Sequence, residues 1–217
     1  MDKVDYVKQN RTLYSPKDTP QLVDVPRLAF LSAAGTGDPN TAGGEYQRAV
    51  QALFSVAWTI KMSKNGNFTP DSYFEYAMPP LEGLWWVNDG GDYENEKDKS
   101  KFCWTSLIRQ PEFVTREVLE WAKTAAMQKK PDTDTSRVAL IEYDEGLCVQ
   151  CMHHGVFDDE PATTAKIRAF MEQNGLVSDV DGVGPDKTPR RHHELYLSNP
   201  NKTPPEKRKT ILRLPVK

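Results

Sequence analysis

Residues 148–161 read CVQCMHHGVFDDEP and predict a strand that leads directly into a helix. The strand is predicted over residues 147–154. The acidic turn that follows places carboxylates at the positive end of a helix dipole, where Pro161 is also tolerated. Asn174-Gly175 predicts the end of this helix, because both residue types readily adopt the left-handed conformation.

Two further strands are predicted downstream, over 192–198 and 210–214, after a long loop at 178–191. The order is therefore strand, helix, strand, strand. The first half of the chain repeats this order roughly 110 residues earlier, which indicates an internal duplication. Its predicted elements are a strand over 22–32 bent at Pro26, a helix from Tyr46 to Asn65-Gly66, a strand-like segment at 73–78, and strands over 84–87 and 102–109.

A helix and a strand are predicted to join the two halves. The helix opens at Pro111 and has the apolar face Val114, Val118, Trp121 and Ala125. The strand over 138–143 meets the next one at an Asp144-Glu145-Gly146 turn, which is typical of a hairpin. The polar segments 35–44 and 89–100 are predicted as loops, the second of them within a hairpin.

These elements predict an α+β fold made of duplicated β-α-β-β units. Such units form antiparallel sheets, and we expect helices on one face and a ligand groove on the other. We also expect an N-terminal arm over residues 1–20 and a single domain over 21–217. The halves of that domain are predicted at about 21–110 and 146–217.

The charge pattern argues against nucleic acid and membrane partners. The 217 residues carry a net charge of −3, and the basic run at 202–209 is interrupted by two prolines and a glutamate. No apolar run approaches membrane-spanning length, and the N-terminus lacks the apolar segment of a signal peptide. We expect a cytoplasmic protein whose partner is a small molecule, with the oligomeric state left open.

The three cysteines, Cys103, Cys148 and Cys151, fit small core residues in a reducing compartment. Cys148 and Cys151 have the spacing of metal ligands, but a strand points them to opposite faces and no second pair exists. The two His-His pairs have the same limitation. Dinucleotide-binding and phosphate-binding glycine motifs are absent from the sequence, so we expect neither a metal nor another cofactor.

Residues 191–200, RHHELYLSNP, carry the strongest functional pattern. Alternate residues of a strand share a face, so His192, Glu194 and Tyr196 are predicted to point to the open face, and His193 and Leu195 towards the helices. Glu194 can neutralise a cationic ligand or take a proton from water, and Tyr196 can donate a hydrogen bond. A solvated strand face without a ligand has the same pattern, so both interpretations stay open.

The tryptophans are candidates for the walls of a site. Trp85 and Trp86 are neighbours in a strand, so one is predicted to pack in the core and the other to face the groove. Trp104 lies on the strand predicted to pair with it. Met152 and His154 alternate onto one face and are further candidates for ligand contact. Core packing is the competing explanation for each tryptophan.

In combination, several segments resemble the GyrI-like small-molecule-binding superfamily, and within it the stand-alone bacterial branch that includes cyclopropanoid hydrolases. The resembling segments lie at residues 80–86, 104–111, 154–163, 174–176, 192–198, 203–210 and 215–216. Phe157 departs from the pattern, because Tyr is expected there in this branch. A role for that hydroxyl therefore does not carry over.

The resemblance implies that Glu194 meets the ligand, with Tyr196 and one of the three tryptophans as its aromatic neighbours. Relatives fused to DNA-binding domains sense drugs, whereas stand-alone relatives hydrolyse cyclopropane-bearing alkylating compounds with a Glu. Two functions follow: a hydrolase in which Glu194 is the general base, and a non-catalytic module that senses or sequesters drugs. A third, docking to a topoisomerase, requires an exposed apolar patch outside the groove.

Overall fold

The computed structural model describes residues 3–184, 187–200 and 202–217, and one antiparallel sheet forms its centre. The strands run in the order β1-β6-β8-β7-β3-β4-β2-β5. They are β1 (Gln21–Val25), β2 (Leu28–Thr36), β3 (Leu81–Val87), β4 (Phe102–Arg109), β5 (Ala139–Tyr143), β6 (Gly146–His154), β7 (His192–Tyr196) and β8 (Lys209–Pro215). The predicted α+β class is confirmed.

Two similar sets of elements meet where β3 pairs with β7. One set is β2, α3 (Glu45–Lys61), β3 and β4, and the other is β6, α5 (Glu160–Gln173), β7 and β8. The outermost strands are exchanged between the sets, because β1 pairs with β6 and β5 pairs with β2. The division into an arm and a domain of two halves stays a prediction. Residues 1–2 of the predicted arm and residues 185, 186 and 201 of predicted loops lie outside the described residues.

Helix α3 is fixed by its apolar face. Leu53, Val56 and Ile60 recur at three- and four-residue spacing and are fully buried, together with Trp104 from the sheet. Burying each such side chain contributes about 1.5–3 kcal/mol. In the part of the chain that the structure describes, no helix is both long and apolar enough to cross a membrane.

Helix α4 (Arg116–Lys129) begins later than predicted. Residues 111–114 form a turn in which the Val114 N–H donates to the Pro111 carbonyl at 3.1 Å. Thr115 then caps the helix by accepting from the Val118 N–H at 3.4 Å. The predicted start at Pro111 is therefore wrong, because the threonine hydroxyl supplies the cap.

Three strand predictions are also corrected. The segment predicted over 22–32 is two strands, β1 and β2, because the chain leaves the sheet at Pro26. Residues 73–78 form no strand and have one isolated bridge, from Tyr76 to Val4. The predicted hairpin at Asp144-Glu145-Gly146 is wrong, since β5 and β6 pair with different strands at opposite edges.

The two faces of the sheet are covered by different parts of the chain. The helix face carries α3 and α5 and includes Trp104, Glu194 and Leu212. The arm face includes His193 and Leu195 and is covered by two short helices, α1 (Tyr6–Gln9) and α2 (Arg11–Tyr14).

The groove was expected on the face without helices, and this expectation is wrong. Glu194 and Tyr196 lie on the helix face, where the cavity opens between α3 and α5 over the middle of the sheet. The opposite face is covered mainly by the arm, and the cavity reaches it only at the end of the strands where Tyr14 and Met152 border it. The two helices α3 and α5 are too few to cover all eight strands, so the space between them forms the groove. The arm covers apolar surface on the opposite side of the sheet.

Candidate active site

Glu194 lies on the helix face of β7, close to the centre of the sheet. It borders a cavity of about 1770 Å³ that His192 and Tyr196 also line. Strand alternation places these three side chains on one side. Glu194 is only 3% exposed, so its charge requires partners inside the protein.

Two phenols hold the Glu194 carboxylate. Tyr196 Oη donates to Oε2 at 2.8 Å, and Tyr93 Oη donates to Oε1 at 3.0 Å. Trp85 Nε1 in turn donates to Tyr196 Oη at 2.8 Å. These hydrogen bonds are strengthened by the charge on the acceptor and fix the orientation of the carboxylate.

Gly83 makes room for this arrangement. It pairs with Glu194 across the strands β3 and β7. A Cβ atom at Gly83 would lie 2.6 Å from Trp85 Nε1 and 2.9 Å from Tyr196 Oη. Any larger residue would separate the indole from the phenol, so glycine is required for the hydrogen bond between them.

An aromatic wall, defined as Tyr46, Trp85, Tyr93 and Phe102, stands beside the carboxylate and borders the cavity. Trp85 and Tyr93 are stacked, with centroids 5.8 Å apart and an interplanar angle of 20°. Tyr46 lies 5.5 Å from Trp85, and Phe102 lies 4.8 Å from Tyr93. Such a surface suits flat, partly apolar molecules.

His192 is buried between two carboxylates. Its Nε2 lies 3.3 Å from Glu194 Oε1, and its Nδ1 lies 3.6 Å from Glu94 Oε1. Burial alone would lower the pKa of His192, but the two carboxylates outweigh it and raise the pKa to about 9. The imidazole is therefore a cation at neutral pH.

Glu94 completes a row of alternating charges. Arg168 Nε donates to Glu94 Oε2 at 2.9 Å. Burial would raise the pKa of Glu94, but the hydrogen bonds and charges of His192 and Arg168 lower it to about 2. The row Arg168, Glu94, His192, Glu194 thus alternates in sign and ends at the cavity.

A second carboxyl group, Glu160, faces Glu194 from the start of α5. It is 8% exposed and borders the same cavity. Burial, and then the charge and hydrogen bond of Glu194, raise the pKa of Glu160 well above its ordinary value. Burial and the Glu194 charge also raise the pKa of Tyr93 and Tyr196, so both phenols remain hydrogen-bond donors.

Comparison with known proteins identifies the family of this chain. The model of a family described as the GyrI-like small molecule binding domain matches residues 18–217. The chain belongs to this GyrI-like family. No curated protein matches the chain.

The GyrI-like protein is similar along its whole length to solved structures from Listeria innocua. One, described as a hydrolase, is 49% identical with a TM-score of 0.88 and covers 100% of both chains. Another, described as an uncharacterized conserved protein, is 51% identical with a TM-score of 0.90, over 99% of this chain and 100% of that one. The EcmrR C-terminal domain shares only the fold, with 10% identity and a TM-score of 0.52 over 92% of this chain and 97% of that one.

The structure brings together most of the residues that the sequence proposed for the site. Glu194, Tyr196, His192 and Trp85 are in one cluster on the helix face. Met152 and His154 also border the cavity, but their register with β8 places them on the arm face. His154 is exposed and lies 2.8 Å from Asp18.

Two of the proposed tryptophans are not at the cavity surface. Trp86 lies on the arm side of β3, under the Arg191 guanidinium at 4.8 Å from its ring centroid. Trp104 shares the helix face with Trp85 but is fully buried, edge-on to Tyr46 at 5.1 Å. Of the pair Trp85 and Trp86, the structure therefore selects Trp85.

Sequence reasoning does not assign Tyr46, Tyr93, Glu94, Phe102 or Glu160 to the candidate site. Tyr93 and Glu94 belong to the segment predicted only as a polar hairpin loop, and Glu160 was interpreted as a helix-dipole residue. Tyr46 is predicted only as the first residue of a helix, and Phe102 only as the first residue of a strand. The sequence does contain one signal for Tyr93 and Glu94. An aromatic and an acidic side chain next to each other in a loop are candidates for a binding site, because loops often carry functional residues.

The arrangement can bind a flat molecule and act on it with carboxyl groups. Within the described ranges, no group of three or more His, Cys, Asp or Glu side chains is placed to hold a metal ion. Cys148 and Cys151 pack in separate clusters on opposite faces. The ionisable groups that contact Glu194 are two phenols and an imidazolium, which suit proton transfer at its carboxylate.

Proposed function

We propose that this GyrI-like protein hydrolyses flat electrophiles that carry an activated cyclopropane, as a cytoplasmic defence against DNA-alkylating compounds. The observation that carries the proposal is a nearly buried carboxylate, Glu194, that borders a cavity beside an aromatic wall. The similarity to Listeria innocua proteins described as hydrolases, at 48% and 49% identity, supports a hydrolytic reaction.

Glu194 is the general base in this proposal. It takes a proton from a water molecule as the water oxygen bonds to a cyclopropane carbon. The ring C–C bond breaks, and its electron pair moves to the oxygen of a conjugated carbonyl, which is then protonated. The product is the substrate plus one water, and release of ring strain supplies much of the driving force.

The surrounding groups position the reactants. Trp85 and the other residues of the aromatic wall stack on the flat part of the substrate and hold the ring near the base. Tyr196 orients the carboxylate through its 2.8 Å hydrogen bond. The imidazolium of His192 balances the charge of Glu194 and stabilises negative charge that develops nearby.

The substitution Glu194→Gln tests the base. It keeps the size of the side chain, so we expect binding to persist and turnover to fall by about 10²-fold or more. Turnover is measured by mass spectrometry as addition of water to a spirocyclopropyl cyclohexadienone. Glu172→Gln, at an exposed position of α5, is the matched control. Hydrolysis by Glu194→Gln at the parent rate would exclude this role.

The second candidate function is non-catalytic binding of aromatic cations. It is favoured by the same carboxylate beside aromatic rings, which is a typical arrangement for cation recognition. In that case Glu194→Gln weakens binding of a flat cation such as ethidium and leaves a neutral ligand of similar shape unaffected. Binding without any water-added product from the parent protein would favour this candidate.

A further inference from the structure

Glu160 is a buried acidic group for which the proposed base mechanism has no role. It is the first residue of α5, directly after a short turn at Phe157–Asp159. Its side chain is 8% exposed and borders the cavity, and its Oε1 atom has no hydrogen-bond partner among the described residues. An unsatisfied buried carboxyl oxygen is costly, so a position that retains one requires an explanation.

The explanation lies in the carboxyl group opposite. Glu160 and Glu194 are both nearly buried and border the same cavity, and the charge and hydrogen bond of Glu194 raise the pKa of Glu160, so ionisation of both carboxyl groups there is unfavourable. Glu194 already accepts hydrogen bonds from two phenols and lies against the His192 cation. Those partners favour the negative charge on Glu194.

The other charges around Glu160 agree with this assignment. Burial is the main cause that raises the pKa of Glu160, followed by Glu194 and by Asp158, while Lys99 acts weakly in the opposite direction. Glu160 is therefore the member of the pair that holds the proton.

We propose that Glu160 is a second catalytic residue, a general acid that works with the base Glu194, and that the pair hydrolyses aryl epoxides to diols. This inference rests on the proposed function, because it uses the same base, the same water and the same aromatic wall. It extends the substrate class from strained carbocycles to strained oxygen heterocycles.

The proximity of acid and base matches the epoxide ring. In an activated cyclopropane the electron pair leaves towards a carbonyl that is distant from the attacked carbon. In an epoxide the leaving oxygen is bonded to the attacked carbon itself, and an alkoxide leaves poorly without a proton. Two carboxyl groups that border one cavity can serve both atoms of such a compact reaction.

The proposed step is balanced. Glu194 takes a proton from water as the water oxygen bonds to the benzylic carbon, and the C–O bond of the epoxide breaks. Glu160 gives its proton to the departing oxygen, so the product is a vicinal diol. The proton on Glu194 then returns to Glu160 across the cavity that both carboxyl groups border, which restores the starting state.

The test incubates the full chain with styrene oxide in water enriched in ¹⁸O. The phenylethanediol that forms is then measured by chromatography and mass spectrometry. We expect enzymatic diol with one labelled oxygen. E160Q should lower this rate by about 10²-fold, while D159N, the exposed neighbour at the same turn, should retain it. The parent rate should also fall as the pH rises and Glu160 loses its proton, a dependence that E160Q should lack.

The outcomes separate the two proposals. Styrene oxide hydrolysis by E160Q at the parent rate, or no diol from a parent protein that does hydrolyse the cyclopropane substrate, would overturn only the role of Glu160. Glu160-dependent diol formation without cyclopropane hydrolysis would support it and overturn the cyclopropane substrate. Turnover of neither substrate would overturn both. Circular dichroism and denaturant unfolding show whether E160Q is folded.

Discussion

His192 and His193 are consecutive in β7, yet they belong to two different environments. His192 lies on the helix face between Glu94 and Glu194. His193 lies on the arm face, 3.1 Å from Glu82 and 3.0 Å from Glu145. Both are fully buried, and in both cases carboxylates overcome the effect of burial and raise the pKa of the imidazole.

The two environments differ in whether a cavity adjoins the charged groups. The Glu194 carboxylate borders a cavity, whereas Glu145 accepts from Arg213 Nη1 at 3.0 Å and is sealed within the protein. Arg213 is further tied to the arm by donating to the Leu13 carbonyl at 2.9 Å. A perturbed pKa alone therefore does not mark a functional site, and the adjoining cavity is what distinguishes one.

The largest expected effect is on stability at the sealed side. Glu145→Gln leaves Arg213 and His193 without their shared counter-charge, so we expect the free energy of unfolding to fall by about 3–5 kcal/mol. Denaturant unfolding measures this change. Glu142→Gln, in an exposed ion pair with Arg27, should cost less than about 1 kcal/mol. Equal costs for both would show that the two sides do not differ as described.

The next effect is a pH dependence shared by both histidines. A raised pKa means that folding favours the protonated form, so the stabilisation is complete below about pH 6.5 and is lost as the pH rises. For His192 the loss extends to about pH 9. We expect up to about 1.4 kcal/mol per pH unit from each fully titrating histidine.

Unfolding free energies measured between pH 6.5 and 9 test this dependence. His192→Gln should remove the contribution of His192 and leave that of His193. His154→Gln is the control, because that imidazole is exposed. A stability that stays constant over this pH range would contradict the charged state assigned to both histidines.

Much of this architecture could be predicted from the sequence, because helices and strands depend on local periodicity. The strand at Phe102–Arg109 and the end of the helix before Asn174-Gly175 agree with the structure. The face that carries the groove could not be predicted. Both faces carry apolar clusters, and only the tertiary positions of α3, α5 and the arm determine which one remains open.

The site could be predicted only where its residues lie on a strand. Strand alternation was sufficient to group His192, Glu194 and Tyr196. Tyr93 reaches Glu194 from an irregular segment that is 101 residues away in the sequence, and no local pattern encodes such a contact.

The smallest expected effect is on the attachment of the arm. Tyr14 Oη donates to Glu82 Oε1 at 3.2 Å, so Tyr14→Phe removes a hydrogen bond to a buried carboxylate. We expect a loss of about 1.5–3 kcal/mol in unfolding free energy and faster proteolysis of the arm. Tyr6→Phe, whose hydroxyl has a longer contact of 3.4 Å with Glu112, should change both measurements less.

The exchange of the outer strands determines how this chain reaches its native state. Since β1 pairs with β6 and β5 with β2, each of the two sets of elements is completed by a strand that precedes the other set, and a separated set would expose unpaired backbone to aggregation. Contacts between β1 and β6 also require closure of a loop of more than a hundred residues. High contact order of this kind slows folding. We therefore expect the two halves to fold as one cooperative unit at a rate limited by long-range strand pairing.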